Sequence, residues 1–411
     1  MTTTTVRDEF ARAWKTLFAS SVGVGFGLTG ITYYSFGVFV VPLMQSFGWT
    51  RGDATLGSSF LIIGTAITAP IVGTLIDKFG ARKVTLVSIF GVIAGYLALS
   101  QQPGSVFVFY ATWLCMSLLG GGTTPVVYTR AVNMWFDKGR GLALGLALAG
   151  SGISGIFGPP FLTALIRDYG WQGAYLALAA ITLVVAFPIL FLLFRERKLD
   201  SASAHSHSAH LPGMDVPEAI RTVDFWKIGI GFIMIASTVA ALGINLVPLM
   251  RDKGVSAEAA AAYASAMGIA VLFGRIFVGY ILDRFPAPAV ARVLISFTAV
   301  GCLLLAWKDA PWWTAVVSAA LFGFAAATEV DLVAFLSSRY FGMKSYGKIY
   351  GLQITIFYIG AALGPLLAGK AYDAFHGYTE VLYACAVLLV VGALIVGSLG
   401  KAPNFGEIPG H

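Results

Sequence analysis

The sequence predicts an all-α membrane protein with twelve transmembrane helices arranged as two parallel six-helix repeats. Three observations predict it. Of 411 residues, 57% are hydrophobic and only 11% charged, too few charges to cover a water-soluble globule of this size. Charge-marked breaks divide the chain into twelve apolar stretches, and an α-helix needs about 20 such residues to cross a bilayer. Short motifs also recur at a constant offset of 206 residues. Val41-Pro42-Leu43-Met44 returns as Val247-Pro248-Leu249-Met250, Gly48 as Gly254, Gly73 and Asp77-Lys78 as Gly279 and Asp283-Arg284, Gly145 as Gly351, and Gly158-Pro159 as Gly364-Pro365. A parallel two-fold repeat implies a ligand site near the midplane, with access alternating as the halves rock.

In chain order, the expected spans are 18–46, 56–77, 83–101, 105–136, 140–166, 171–194, 225–250, 258–282, 290–307, 312–338, 347–369 and 379–400. Gly and Pro inside them are tolerated because a spanning helix satisfies its backbone within the segment or through neighbours. In the first span, Gly25-Phe-Gly27-Leu-Thr-Gly30 formally matches a dinucleotide fingerprint, but no strand precedes it; close helix packing accounts for it. The same holds for Gly120 to Gly122 and Gly145 to Gly158. The Ser/Ala/His-rich stretch from Arg195 to Arg221 separates six spans from six and reads as a linker. Its His205, His207 and His210 have no acidic or cysteine partner nearby, so no metal site is expected. The resulting organisation is an N-terminal segment 1–17, a first half 18–194, a linker 195–223, a second half 224–400 and a tail 401–411.

Lys and Arg in short loops set orientation. Clusters at Lys78/Arg82/Lys83, Lys138/Arg140, Arg195/Arg197/Lys198, Arg221/Lys227 and Arg339/Lys344/Lys348 favour both termini in the cytoplasm, in a cell (inner) membrane. The N-terminal residues lack a cleavage-type motif, so no signal peptide is expected. The net charge of +7 does not indicate nucleic acid, because the basic residues are scattered at span ends without an aromatic-interleaved patch. Cys115, Cys302 and Cys385 lie far apart in apolar runs, as small buried hydrophobes do, and imply no disulfide framework. No Walker loop, His-Glu-x-x-His or Gly-x-Ser-x-Gly elbow is present, so neither an enzyme nor a cofactor is expected. A monomer is the expected state.

Gly73-Thr-Leu-Ile-Asp77-Lys78-Phe-Gly80-Ala-Arg82-Lys83, echoed at Gly279-Tyr-Ile-Leu-Asp283-Arg284, resembles the loop 2–3 signature of the major facilitator superfamily. Trp135-Phe136-Asp137-Lys138-Gly139-Arg140-Gly141, leading into the fifth span, is similar to the signature of monocarboxylate transporters. Glu329 to Gly342 resembles bacterial relatives in that branch, which includes oxalate/formate exchangers. The resemblance covers about residues 18 to 400. It implies the major facilitator fold, transport of a small organic anion usually coupled to a proton, and a substrate-carboxylate arginine at Arg275. The family's acid one turn before that arginine is here Val271, and its first-span lysine is missing. The second lysine of the oxalate exchangers, in span 11, is absent too, so a dicarboxylate fits less well than a monovalent anion. Exchange of anions, or export of a bulkier aromatic or drug-like compound, is the alternative.

The residues supply their own reasons. Arg275 sits two turns before Asp283, roughly 12 Å inside the helix end, where an unpaired guanidinium costs at least about 3 kcal/mol. It either grips a carboxylate through paired hydrogen bonds or forms a structural pair with Glu329 or Asp331. These acids lie roughly 15 Å inside span 10. Being two residues apart, they point in different directions and cannot both face one cavity. An acid between burial and a nearby arginine can take up and release a proton. Arg130 either snorkels to the interface or draws anions toward the site. Tyr33, Tyr34, Tyr128, Asn245, Gln353 and Tyr358 are candidates to complete the cavity or to bond helix to helix. Asp77, Arg82, Asp283 and Arg284 are expected to gate one end, the aspartates by pairing with basic groups and with facing helix N-termini.

Overall fold

A computed structural model describes residues 5–49, 51–196, 212–255, 257–308, 310–375 and 377–405. The linker histidines lie outside them. All regular elements among the described residues are helical, apart from an isolated bridge between Gly213 and Gly342. Thr5 and Asp8 form a capping box that starts α1 (Val6–Phe26). A π-helical turn, Leu28–Thr32, separates α1 from α2 (Phe36–Phe47), which is bent away by 40°. The first span therefore starts before residue 18 and is broken. Gly30, expected only to pack closely, leaves helical geometry altogether.

Next come α3 (Arg51–Phe79), α4 (Ala81–Ser100) and α5 (Val106–Gly120), and a short turn at Gly121–Thr123 precedes α6 (Pro125–Trp135). The fifth and sixth spans, expected apart, are nearly continuous through α7 (Arg140–Ile181) and α8 (Phe187–Leu193). Gly170, with φ 72° and ψ 172°, turns the chain between them, a conformation open to glycine at no steric cost. After α9 (Val216–Arg221), the second half comprises α10 (Val223–Asp252), α11 (Ala257–Leu282), α12 (Ala287–Ala306), α13 (Trp312–Phe341), α14 (Tyr346–Phe375) and α15 (Thr379–Gly397).

Among the described residues, nine helices are long and apolar enough to span. The 54-residue run Arg140–Leu193 crosses twice about Gly170, and the bent first pair and α11 supply the remaining crossings. Twelve crossings result.

Each half packs around its own helices, α1 with α7 and α3 with α5 in the first, α10 with α14 and α11 with α13 in the second. The halves meet through α3 against α14 and α7 against α11. One apolar core joins the terminus-bearing end of the first half, with Leu17 and Tyr128, to the second half, from Phe341 and Tyr350 as far as Leu249 and Leu305. A separate core, with Phe39, Trp113 and Tyr175, fills the other end of the first half alone. The molecule is thus joined at one end, termed the closed end below.

Two carboxylates tie the chain's outlying segments to that end. Glu9 of α1 accepts from the amides of Asp137, Lys138 and Gly139 at 3.0–3.2 Å. Its counterpart 206 residues later, Asp215, takes Lys344 Nζ at 2.7 Å and Ser345 Oγ at 3.3 Å, and the Lys344 ammonium holds its carboxyl below the usual carboxylate range. Backbone bonds from Met214 to Phe341 and from Met343 to Pro212, both 2.8 Å, dock the linker's end beside it.

Where α3 meets α14 and α7 meets α11, the tightest approaches between the halves are glycine to main chain. A Cβ on Gly73 would collide with the Gly347 carbonyl, and one on Gly141 with that of Gly279. The repeat offset exchanges these two pairs. Gly145 against Arg275 and Gly351 against Ala69 form a second exchanged set. Gly73→Val should therefore part the halves at the closed end while leaving each half folded. Maleimide labelling of a cysteine at position 348, in a Cys115→Ser background, should speed up several-fold; unchanged labelling would refute the seam's role.

Candidate functional site

Arg275 on α11 is only 7% exposed, and its Nη1 donates to Asp331 Oδ1 of α13 at 2.5 Å. Asp331 is 1% exposed. Of the two acids, the deeper-packed one is the arginine's partner. Glu329, half-buried, lies within electrostatic reach of Arg275 but leaves Oε2 without a partner, as the arginine leaves Nε. Around this charge cluster stand phenols from both halves. Tyr34 faces Arg275 and Glu329, Tyr33 faces Glu329, and Tyr358 on α14 faces Tyr33 and Glu329. Tyr33 and Tyr34 meet edge to face at 5.4 Å. Tyr33 is 43% exposed although Tyr34, Tyr358 and Glu329 stand near it. The break in the first span places these two tyrosines here, since both follow directly on the π-helical turn.

Four other candidates lie elsewhere. Tyr128 is fully buried inside the first half, against Phe194 and Gly23. Asn245 donates to the Ala241 carbonyl and accepts from Tyr378 at 3.2 Å, near the far end of the second half. Gln353 donates to Phe225 O at 2.9 Å, tying α14 to the start of α10. Arg130 pairs with Asp77, with Glu196 at 4.0 Å, and so belongs to the closed end.

There the two aspartates act as caps across the halves. Asp77 accepts from the amides of Gly347 and Lys348 at 3.2 and 3.1 Å, at the start of α14. Asp283 accepts from Gly141 and Leu142 at 2.5 and 2.9 Å, at the start of α7. Each carboxylate satisfies orphan N–H groups and meets the positive end of the opposite helix. Asp283 stands just beyond α11, where burial pushes its carboxyl above the usual range while the two amides and Arg339 pull it back. Arg82 and Arg284 do not cross between halves: Arg82 donates to Phe191 O at 2.6 Å and Arg284 to Tyr280 O at 3.2 Å.

Sequence reasoning gave Arg140 and Arg339 an orienting charge but no place in the polar cluster beside these caps. Arg140, 4% exposed, bonds Phe136 O, Asp137 Oδ1 and Ser338 Oγ of the other half. Arg339 reaches back to Asp137 Oδ1 and O at 3.3 and 3.1 Å. Beneath Asp331, Tyr350 and Tyr346 stack at 5.4 Å. The four-residue spacing of these tyrosines, on the helix that also carries Tyr358, was the available signal.

A repeated helical bundle in the membrane, joined at one end around a charged centre, is the build of a secondary transporter. The Major Facilitator Superfamily profile matches residues 22–307 and 228–407, and the chain belongs to that superfamily, whose members are transporters rather than enzymes. It is 24% identical over 373 residues to the MFS-type transporter YcxA of Bacillus subtilis, covering 88% of this chain and 89% of the relative. It is 26% identical over 379 residues to bovine (Bos taurus) monocarboxylate transporter 13, covering 90% and 85%. The structure superposes on the E. coli fucose:proton symporter FucP with a TM-score of 0.72 at 16% identity, covering 94% of this chain and all of that one.

Removing one partner of a buried ion pair strands the other charge and costs about 3–5 kcal/mol, whereas apolar replacement of both is nearly neutral. Asp331→Leu should thus destabilise the protein strongly, and Arg275→Met with Asp331→Leu should recover most of the loss. Thermal unfolding in detergent measures both. A double variant as unstable as the single one would show that the pair is not the relevant contact.

Proposed function

We propose that the protein carries a small monovalent organic anion of the monocarboxylate kind together with a proton, by alternating access, across the cell (inner) membrane with both termini cytoplasmic. The observation that carries this reading is the buried Arg275 between Asp331, Tyr34 and the unpartnered oxygen of Glu329. One guanidinium balances one carboxylate. When a substrate carboxylate arrives, Arg275 faces two fixed acids and a third anion, and a proton on one of the acids returns the site to the net charge it carried when empty. Adding a net charge to so dry a place is expensive. Glu329 suits the proton's role because Asp331 is already committed to the arginine. The phenols of Tyr33, Tyr34 and Tyr358 supply an apolar wall with hydroxyls to orient the ligand. In this state the gating residues Asp77 and Asp283, with Arg130 in support, shut the cytoplasmic side.

Similarity to monocarboxylate transporter 13 supports the substrate class. FucP, a fucose:proton symporter, is an instance of proton symport on the same fold.

Uptake of labelled monocarboxylates into proteoliposomes, with and without an inward proton gradient, tests the reading. A charge-assisted hydrogen bond is worth about 1.5–3 kcal/mol, so Arg275→Ala should lower uptake at least roughly tenfold. Glu329→Gln should abolish gradient-driven accumulation while retaining counterflow. Gradient-independent uptake by the wild type would overturn proton coupling, and full activity of Arg275→Ala would overturn the site.

A further inference from the structure

At the closed end of the second half, the α11–α12 turn, α13 and the chain following α15 enclose a cleft of about 570 Å³, within the size range of ligand pockets. Among the described residues, three cations line it, Arg292, Arg339 and Lys401, and no carboxylate does. Its walls include Leu282, Phe335 and Leu399. The basic groups come from three separate elements. Arg292 on α12 is fixed by donating to the Gly397 carbonyl at 2.6 Å, the last residue of α15. Arg339 lies over the Phe335 ring at 5.5 Å. Lys401 is exposed, and Phe285, which also lines the cleft, is 58% exposed. The cleft opens where α12 begins and α15 ends, which is the level of the membrane interface for both spans.

Arginines held in place by other contacts present their remaining N–H groups in a fork that matches phosphate oxygens, and they have already lost the rotamer freedom that binding would otherwise cost. Cations around an apolar wall at the end of a span suit a ligand with an anionic head and an acyl body. We propose that this cleft binds the phosphodiester headgroup of an anionic phospholipid from the leaflet at the closed end.

Arg339 gives the site a consequence for transport. The same guanidinium holds Asp137 of the first half through Oδ1 and the carbonyl. A phosphate in the cleft competes with Asp137 for it, so occupancy loosens the closed end. By linkage, opening of that end strengthens lipid binding to the same degree.

The test is binding, so it does not depend on which anion is carried. Protein taken from vesicles of equimolar phosphatidylcholine and phosphatidylglycerol is analysed by native mass spectrometry. The wild type should retain phosphatidylglycerol in preference, and Lys401→Gln, an exposed change that spares the packing, should retain roughly fivefold less. Arg292→Gln with Lys401→Gln should lose the preference entirely. Equal retention by all three proteins would overturn the site. Displacement of the lipid by an equal concentration of glycerol phosphate would overturn the lipid as occupant in favour of a soluble phosphate ester. In Cys115→Ser/Lys348→Cys protein, phosphatidylglycerol should also raise maleimide labelling several-fold, and adding Lys401→Gln should cancel that rise. No effect of the lipid on labelling would overturn the competition for Arg339.

Discussion

A guanidinium at the centre of a bilayer must have a partner, and much of this structure follows from that need. Arg275 is answered by Asp331, one helix away, through a 2.5 Å bond between two nearly inaccessible groups. The pair fixes α11 against α13 and leaves Glu329 on the same helix pointing elsewhere, toward the phenols of the first span. Arg275 has no charged twin. The residue 206 positions earlier is Ala69, and the first half offers tyrosines where the second offers charges. Around Arg275 the charges therefore come from one half, while both halves contribute phenols.

The closed end is built on the opposite plan, with each half repeating what the other does. Asp77 caps α14 and Asp283 caps α7, and the residues capped are themselves one repeat apart. Symmetry ends at the cations. Arg130 pairs with Asp77, but the residue one repeat after Arg130 is Leu336, and Asp283 relies instead on its two amides with Arg339 nearby. The two caps therefore differ in how much charge must be separated when they part.

What could be read from the sequence was what depends on composition and spacing. Apolar run length places most spans to within a few residues, the first helix excepted, which begins at Val6 rather than at residue 18, and the offset of 206 gives the duplicated plan and the paired aspartates. Arg275 stands out because charge is rare in such segments. Direction around a helix was harder to read. Tyr128, Asn245 and Gln353 are polar residues in apolar spans like Tyr33 and Tyr358, yet each points to a neighbour within its own half, and nothing in one residue's identity reveals its azimuth. The break at Gly30 was also hidden, because a glycine that packs closely and one that leaves the helix look alike in sequence. That break is what turns Tyr33 and Tyr34 toward the charges.

The seam of facing glycines has a consequence for how such a protein can change over generations. Where Gly73 meets Gly347 and Gly141 meets Gly279, the surfaces in contact are main chain, which is the same whatever side chains stand nearby. Even where the seam reaches the buried charge, at Gly145 against Arg275, the contact is with the Arg275 main-chain carbonyl, so a change of side chain leaves it in place. On the proposed reading of the site, residues around Arg275 can be exchanged for others suited to a new cargo without refitting these surfaces, so a lineage can explore specificity while its mechanics stay constant.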